Sequence, residues 1–365
     1  MLVTELESLG ATGIAIAEGG VGFQGEARTA YRANLHSRFA SRVLWSVLSG
    51  RYRSEDDIYL AIRACDWTRC FDASRSIRVN VSAIRSPLRS LDFLTLRIKD
   101  AVCDRFRDAG GSRPDVDTAN PDVRIHAFLT AEEFTVYLDT SGEALFKRGY
   151  RSQANEAPLR ENLAAGIVKL TGWTPQEALL DPMCGGATFL IEAALAARGV
   201  PPGANRGFGF QKLKDYDPMI WESVQDEARA DRAPDSLRIF GSDRSARAVE
   251  SARRNIASAG LTDAVHLAQV DALAIAPPAE SGVLIMNPPY GVRMGDEDRL
   301  AEFYPRLGDS LKRRFAGWRA YIFTADLRLP KLIGLAPSKR IPLFNGALEC
   351  RLYEFRIVAG SMRRR

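Results

Sequence analysis

The sequence predicts an α/β protein: a mostly parallel seven-stranded sheet that closes in an antiparallel C-terminal hairpin, preceded by two small α+β units. Three observations predict it. From about residue 158, apolar strand-like runs alternate with amphipathic helical runs, the pattern of a parallel sheet covered on both faces. The last two runs, SKRIPLFNG and LECRLYEFRIV, have no long helix between them and are separated by Asn345–Gly346, a hairpin signal. The first 150 residues lack that alternation and mix short strands with single helices.

Composition narrows the class. Of 365 residues, 46% are hydrophobic and 26% charged, ordinary for a globular protein, and the length suits about two or three domains. No run approaches ~18 uninterrupted apolar residues, so no membrane partner is expected. Glu5 and Glu7 stand where a secretory signal carries Lys or Arg, which points to the cytoplasm. Cys65, Cys70, Cys103, Cys184 and Cys350 form no CxxC pair, and only three histidines accompany them. No metal site is expected, and the thiols read as small buried apolar groups in a reducing compartment. The net charge of +5 permits a polyanionic partner without requiring one. Residues 60–107 hold 10 basic and 5 acidic side chains, whereas residues 108–143 hold 2 and 8, so the surface there is either polarised or self-paired.

Along the chain, GIAIAEGGVGFQG reads as two short strands about a Gly-Gly turn. YRANLHSRFASRVLWSVLS reads as one helix with Leu35, Phe39, Val43 and Val47 on a single face. Together these make a first unit, residues 1–52. The second, residues 53–150, opens with SEDDIYLAIRACDW, a Ser N-cap and acidic first turn before an apolar face. SIRVNVSAI alternates as a strand does, and SLDFLTLRIKDAVCDRFRDAG is an amphipathic helix ended by Gly110–Gly111. VRIHAFLT and EFTVYLDT are strands joined at Ala131–Glu132. The polar stretch KRGYRSQANEAP is a linker or hinge. The third unit, residues 151–365, carries the strands EALLDPM, LRIFGSD, AVHLAQVD, GVLIMNPP and RAYIFTAD, with helices such as ATFLIEAALAAR, SARAVESARRNIASAG and LAEFYPRLGDSLKRRF between them. Within it, GFGFQKLKDYDPMIW, with Phe208, Phe210, Tyr216 and Trp221, is either a substrate loop or a packing element.

The chemistry-bearing residues fall at strand ends. Asp181-Pro-Met-Cys-Gly-Gly-Ala-Thr-Phe189 follows a strand and opens a helix, where glycines let a ligand approach the backbone and helix N–H groups face it. Asp243, ending the second strand, can accept hydrogen bonds from two ribose hydroxyls, or cap a helix. Asp271-Ala272 ends the third strand, and an acid there can hold the exocyclic amine of an adenine or close a turn. Asn287-Pro-Pro-Tyr290 ends the fourth. The Asn287 side-chain oxygen and the Pro288 carbonyl can accept the two hydrogens of a planar amine, and Tyr290 offers a stacking face worth about 1–3 kcal/mol.

The order and spacing of these motifs resemble the class I S-adenosylmethionine-dependent methyltransferases, and Asn-Pro-Pro-Tyr resembles the branch that methylates exocyclic amines of nucleic-acid bases. KRGYR at 147–151, APLRENLAAG at 157–166, DPMCGGATFLIEAA at 181–194, NPPYGVRMG at 287–295 and NGALECRLYEF at 345–355 look like the THUMP-containing 23S rRNA guanine-N2 methyltransferases, over essentially the whole chain. The resemblance implies a ferredoxin-like unit at 1–52, a THUMP RNA-binding domain at 53–150 and a methyltransferase domain at 151–365. It implies S-adenosylmethionine as cofactor, with Asp181, Gly185, Gly186 and Thr188 at its methionine end, Asp243 on its ribose, and Asp271 and Ala272 beside its adenine. Asn287, Pro288, Pro289 and Tyr290 would hold the target base. The implied partner is RNA: 23S rRNA, free or in a pre-ribosomal particle, with tRNA as the alternative. Some larger members carry a second methyltransferase domain downstream, an activity not expected of a chain ending at Arg365. One departure is Gly185-Gly186-Ala187, where the family usually has Gly-Ser-Gly; the extra methyl of Ala187 is expected to be tolerated.

Arg75, Arg78, Arg85, Arg89 and Arg97 lie in the basic stretch as candidate phosphate contacts, unless they pair with Asp92, Asp100 or Asp104. Other readings are a tRNA guanine-N2 methyltransferase, a DNA adenine-N6 methyltransferase and a non-catalytic RNA-binding assembly factor. An accessory unit that precedes the catalytic domain and looks like THUMP favours RNA over DNA.

Overall fold

The computed structural model describes residues 1–17, 19–151, 159–230, 236–288 and 296–358. Its chain divides into two compact units, one of residues 1–145 and 202–227, the other of residues 146–201 and 228–365.

The first unit begins with helix α1 (Leu2–Ser8), the hairpin β1 (Thr12–Ala17) and β2 (Gly20–Gln24), and α2 (Ala27–His36). Strand β3 (Leu44–Arg51), α3 (Glu55–Ala64), β4 (Ile77–Ala83), α4 (Leu91–Gly110), β5 (Val123–Leu129) and β6 (Glu133–Asp139) follow. These strands form a four-stranded sheet in the order β3-β6-β5-β4, with β4 and β5 parallel and the other pairs antiparallel. Alternation decides its faces: Val123, Ile125, Ala127 and Leu129 of β5 and Phe134, Val136 and Leu138 of β6 are buried against Ile58 and Ile62 of α3 and Leu94, Ile98 and Val102 of α4. Helix α3 starts where expected, with Ser54 and Asp57 forming a reciprocal capping box. Gly111, at φ +96°, ends α4.

The helix read over residues 31–49 is not one element. It stops at His36, because Ser37 turns to extended backbone and is held there by Glu5, which accepts from the Ser37 hydroxyl at 2.6 Å and the Arg38 amide at 2.8 Å. Leu44–Arg51 then pairs antiparallel with β6. The aromatic and β-branched residues of LWSV suit a sheet, and sheet pairing overrides an apolar spacing that also fits a helix.

In the second unit come α5 (Glu161–Thr171), β7 (Ala178–Asp181) and α6 (Thr188–Ala197). The chain then returns to the first unit over residues 202–227, a segment that includes most of α7 (Pro218–Ala230). The aromatic run there is a packing element. Phe210 stacks on Tyr31 with centroids 4.3 Å apart, Phe208 stacks on Phe210 at 5.3 Å, and Trp221 meets both edge-on. The Tyr31 hydroxyl accepts from the Asp217 amide at 3.0 Å, and Arg206 donates to the carbonyls of Ser141 and Ala144. The first compact unit thus takes in residues 202–227 as well as 1–145.

Strand β8 (Ile239–Asp243), α8 (Ala246–Ser258), β9 (Val265–Gln269), β10 (Gly282–Met286), α9 (Asp296–Arg314), β11 (Trp318–Thr324), α10 (Leu329–Leu332), β12 (Lys339–Asn345) and β13 (Leu348–Arg356) complete the second unit. Its seven-stranded sheet has the order β12-β13-β11-β10-β7-β8-β9, parallel except for β13, which runs antiparallel to both neighbours. Every residue of β7 and of β10 is buried, as two-sided coverage requires. One face packs on α5, α6 and α8; the other packs on Leu300, Tyr304, Leu307 and Leu311 of α9. The hairpin turn lies one residue later than read: Asn345 still pairs with Leu348, and Gly346, at φ +67°, opens the turn. No helix among the described residues is long and apolar enough to cross a membrane.

The returning segment docks through a backbone approach that a side chain would obstruct. A Cβ on Gly209 would lie 2.5 Å from the Asp139 carbonyl oxygen and 2.9 Å from the Gly142 nitrogen. Gly209→Ala is expected to destabilise the protein by about 1–3 kcal/mol, the cost of overpacking. Hydrogen exchange should show the loss of protection confined first to residues 202–227.

Candidate active site

The site lies along the carboxyl edge of the parallel strands. β7 is flanked by β8 on one side and β10 on the other, so the order of connection reverses beside it, and ligands of open α/β sheets bind at such a point.

Asp181 ends β7 with only 2% of its surface exposed, and its Oδ1 accepts from the Met183 amide at 3.1 Å. Burial pushes its carboxyl up to about 8; the Met183 amide opposes that rise and the nearby Asp243 charge adds to it. The chain then turns sharply, with Gly185 at φ +51° and Ala187 at φ +64°. Ala187 is fully buried and is the N-cap of α6, and its amide donates to the Cys184 carbonyl at 2.7 Å. Burial also raises the Cys184 thiol, so it stays protonated and serves as an apolar group. Thr188 opens α6, and its hydroxyl accepts from Arg151 at 3.3 Å.

Asp243 ends β8 and ties two turns together. Its Oδ2 accepts the Gly185 amide at 3.1 Å, and its Oδ1 accepts the Ser245 amide at 2.9 Å. The cap of α8 is Ser245, not Asp243. Asp271 lies two residues beyond β9, with its Oδ1 accepting from the Leu273 amide at 2.8 Å, and Ala272 beside it is buried. Asn287 and Pro288 follow β10 directly, half-buried and buried respectively. Pro289 and Tyr290 lie outside the described residues. The strand ends therefore bring Asp181, Gly185, Gly186, Thr188, Asp243, Asp271, Ala272, Asn287 and Pro288 to one edge of the sheet.

Three supports were not singled out in the sequence. Asn255, inside α8, donates to the Gly186 carbonyl at 2.9 Å and braces the glycine turn, and no sequence signal marks it. Arg151 joins the Leu159 carbonyl, Glu161 and Thr188. Glu192, buried in α6, meets the Tyr150 hydroxyl at 3.1 Å and Arg148 at 3.6 Å. A single acid inside the apolar run TFLIEAALAA was the available signal for Glu192.

The arginines of the first unit divide. Arg75 pairs with Asp122 at 3.9 Å, Arg78 donates to the Thr118 carbonyl at 2.7 Å, and Arg97 pairs with Asp56 at 2.6 Å while lying over the Tyr59 ring. These are not the partners Asp92, Asp100 and Asp104 weighed from the sequence. Arg85 and Arg89 are exposed on the loop between β4 and α4, and Arg85 has φ +60°. Among the described residues no cluster of His, Cys, Asp or Glu is suited to hold a metal.

A seven-stranded sheet of this order, with a glycine turn after the central strand, acids after β8 and β9 and an asparagine after β10, defines the Rossmann-like class I methyltransferase fold. Residues 148–354 match the family described as RMKL-like, methyltransferase domain, and the chain belongs to that family. Residues 52–139 match the THUMP domain and residues 1–44 the RlmL ferredoxin-like domain. A Shewanella frigidimarina protein named ribosomal RNA large subunit methyltransferase K/L is 37% identical over all of this chain and 52% of its own length. The chain spans about half the length of the curated relatives of that name. A Synechocystis protein named as an RNA methyltransferase is 37% identical over 97% of this chain and 92% of its own. The crystal structure of SMU.472, titled as a methyltransferase complexed with S-adenosylhomocysteine, superposes with a TM-score of 0.88. It is 31% identical and covers 100% of this chain and 95% of its own.

Two expectations follow from the turn. Ala187→Gly removes a left-handed alanine, worth about 1–2 kcal/mol, but loses a buried methyl worth about 0.8 kcal/mol and frees the unfolded chain by about 0.4–1 kcal/mol. The terms nearly cancel, so urea unfolding should place Ala187→Gly within about 1 kcal/mol of the wild type, and Ala187→Val well below it because a β-branched residue fits φ +64° poorly. For Asp181, the pKa rises from 3.8 to about 8 on folding. Its contribution to stability is thus fully present below pH 3.8 and is lost as pH rises through about 8. Relative to the wild type, Asp181→Asn should gain melting temperature progressively across that window.

Proposed function

We propose that the chain transfers a methyl group from S-adenosylmethionine to the exocyclic N2 amine of a guanine in large-subunit (23S) rRNA. The observation that carries this reading is Asn287-Pro288 at the carboxyl end of β10, beside the central strand whose end holds the glycine turn. Family membership, the THUMP domain and the names of the relatives support an RNA methyltransferase acting on rRNA.

The donor set suits the cofactor. Asp181 is a buried carboxyl held toward its neutral form by desolvation, and a cationic ammonium such as that of a methionine moiety would compensate its charge. Asp243 is fixed by two backbone amides at the end of β8, a position suited to ribose hydroxyls. Gly185, Gly186 and Thr188 would border the methionine end, and Asp271 and Ala272 the adenine. S-adenosylmethionine supplies a methyl already activated on a sulfonium, so the chain's task is the amine. Asn287 and the Pro288 carbonyl would accept its two hydrogens and aim the nitrogen lone pair at the methyl carbon. Pro289 and Tyr290 would complete the base pocket. In-line placement can remove up to about 7–11 kcal/mol of barrier, and acceptors facing a nitrogen that turns cationic stabilise the developing charge. The base must leave its stack to enter such a pocket.

In the first unit, Arg85 and Arg89 are the arginines best placed for phosphate, since Arg75, Arg78 and Arg97 are engaged within the unit. Asn287→Ala should keep S-adenosylmethionine affinity within about twofold by calorimetry while turnover falls about a hundredfold or more. Loss of affinity and turnover together would refute the role. Nucleoside mass spectrometry of a deletion strain should show loss of N2-methylguanine from 23S rRNA with tRNA unchanged; the converse would make tRNA the substrate.

A further inference from the structure

Among the described residues of the second unit the large apolar side chains left exposed are Leu327, Phe344, Leu348 and Val358. The first three lie toward the carboxyl edge of the parallel strands. Leu327 lies three residues after β11, and Phe344 and Leu348 flank the tip of the β12–β13 hairpin. Register shows how far this tip extends. Thr324, the last residue of β11, pairs with Arg351, whereas β13 begins at Leu348. Three residues at ~3.3 Å each carry the hairpin about 10 Å past the strand end. The order β10-β11-β13-β12 sets β12 three strands from β10, about 14 Å to the side at ~4.8 Å per strand. The tip thus stands beside the Asn287-Pro288 end of β10 and projects outward from it.

Its chemistry is specific. Arg340, Pro342 and Phe344 alternate along one face of the edge strand and are all exposed, Phe344 by 61%. The alternate residues Ile341 and Leu343 pack against the core on the other face. Pro342 has no N–H to offer and sits on the edge strand, which disfavours the addition of a peptide strand. Across the hairpin, Glu349 stands opposite Phe344 with its carboxylate paired to Arg351, so the face offers a flat aromatic ring and the Arg340 guanidinium, complementary to a nucleobase and a phosphate.

We propose that Phe344 is a stacking platform for an unpaired nucleobase a few nucleotides from the target guanine, with Arg340, about 13 Å back along the strand, on a phosphate of the same RNA segment. This rests on the rRNA methyltransferase reading. The hairpin would hold the strand open on one side of the extruded base, so Phe344 acts on RNA affinity and not on the donor.

The test uses the full chain and large-subunit rRNA from a deletion strain, with steady-state methylation, calorimetry for S-adenosylmethionine and thermal melts. Phe344→Ala should raise KM for the RNA roughly ten- to hundredfold, the loss of one base–aromatic stack, with donor affinity and melting temperature unchanged. Phe344→Trp should restore KM, and Arg340→Ala should raise it and flatten its salt dependence. A wild type that methylates this RNA together with an unaltered KM in Phe344→Ala would overturn the stacking role alone. A wild type that binds the donor but methylates no rRNA would overturn the functional reading and this one with it.

Discussion

The Gly185 amide donating to Asp243 at 3.1 Å is the contact on which the site depends. It joins the turn after the central strand to the end of its neighbour and fixes a carboxylate against the Gly185 backbone. A Cβ on Gly241 would lie 2.4 Å from Leu190 and 2.8 Å from Leu267. Gly241 thus lets Leu190 of α6 pack closely on β8, two residues before Asp243. The buried Asp181 belongs to the same arrangement: a group kept from water is costly to ionise unless a cation reaches it. The apolar core of α6 supplies the walls, and the two acids supply the polarity.

Much of this was legible in the sequence because it rests on local chemistry. Strands buried on both faces read as continuous apolar runs, as ALLD and GVLIM do, and the glycine turn, Asp243 and Asn287 fall at their ends. Ser54 with Asp57 and Gly111 are punctuation that the local chain dictates. What was not legible depends on distant partners. Residues 37–51 leave the helix because Glu5 captures Ser37 and because β6 offers a ladder, and neither is visible in the spacing of Leu35, Phe39, Val43 and Val47. Asn255 reads as one more polar residue on a helix until the Gly186 carbonyl is placed opposite it.

The arginines show the same limit for function. A locally basic composition does not distinguish side chains that face solvent from those consumed by ion pairs. Asp122 and Asp56 lie far along the sequence from Arg75 and Arg97, and the structure brings each pair together. Surface pairs of this kind add little stability, about 0–1 kcal/mol, but they remove cations from any surface meant for a polyanion. The loop between β4 and α4 keeps its cations, and a non-glycine residue at φ +60° there marks a backbone fixed by its surroundings.

The first unit is built from two separated stretches of chain. Tyr31 is covered by Phe210 and Trp221, which are made only after the central strand and first long helix of the other unit. During synthesis the amino-terminal portion emerges before its aromatic lid, so the first unit cannot complete its packing until residues 202–227 have been made. A fragment cut at residue 145 would likewise expose Tyr31, which is 3% accessible in the intact fold. The first unit is therefore complete only once the chain has passed through part of the second.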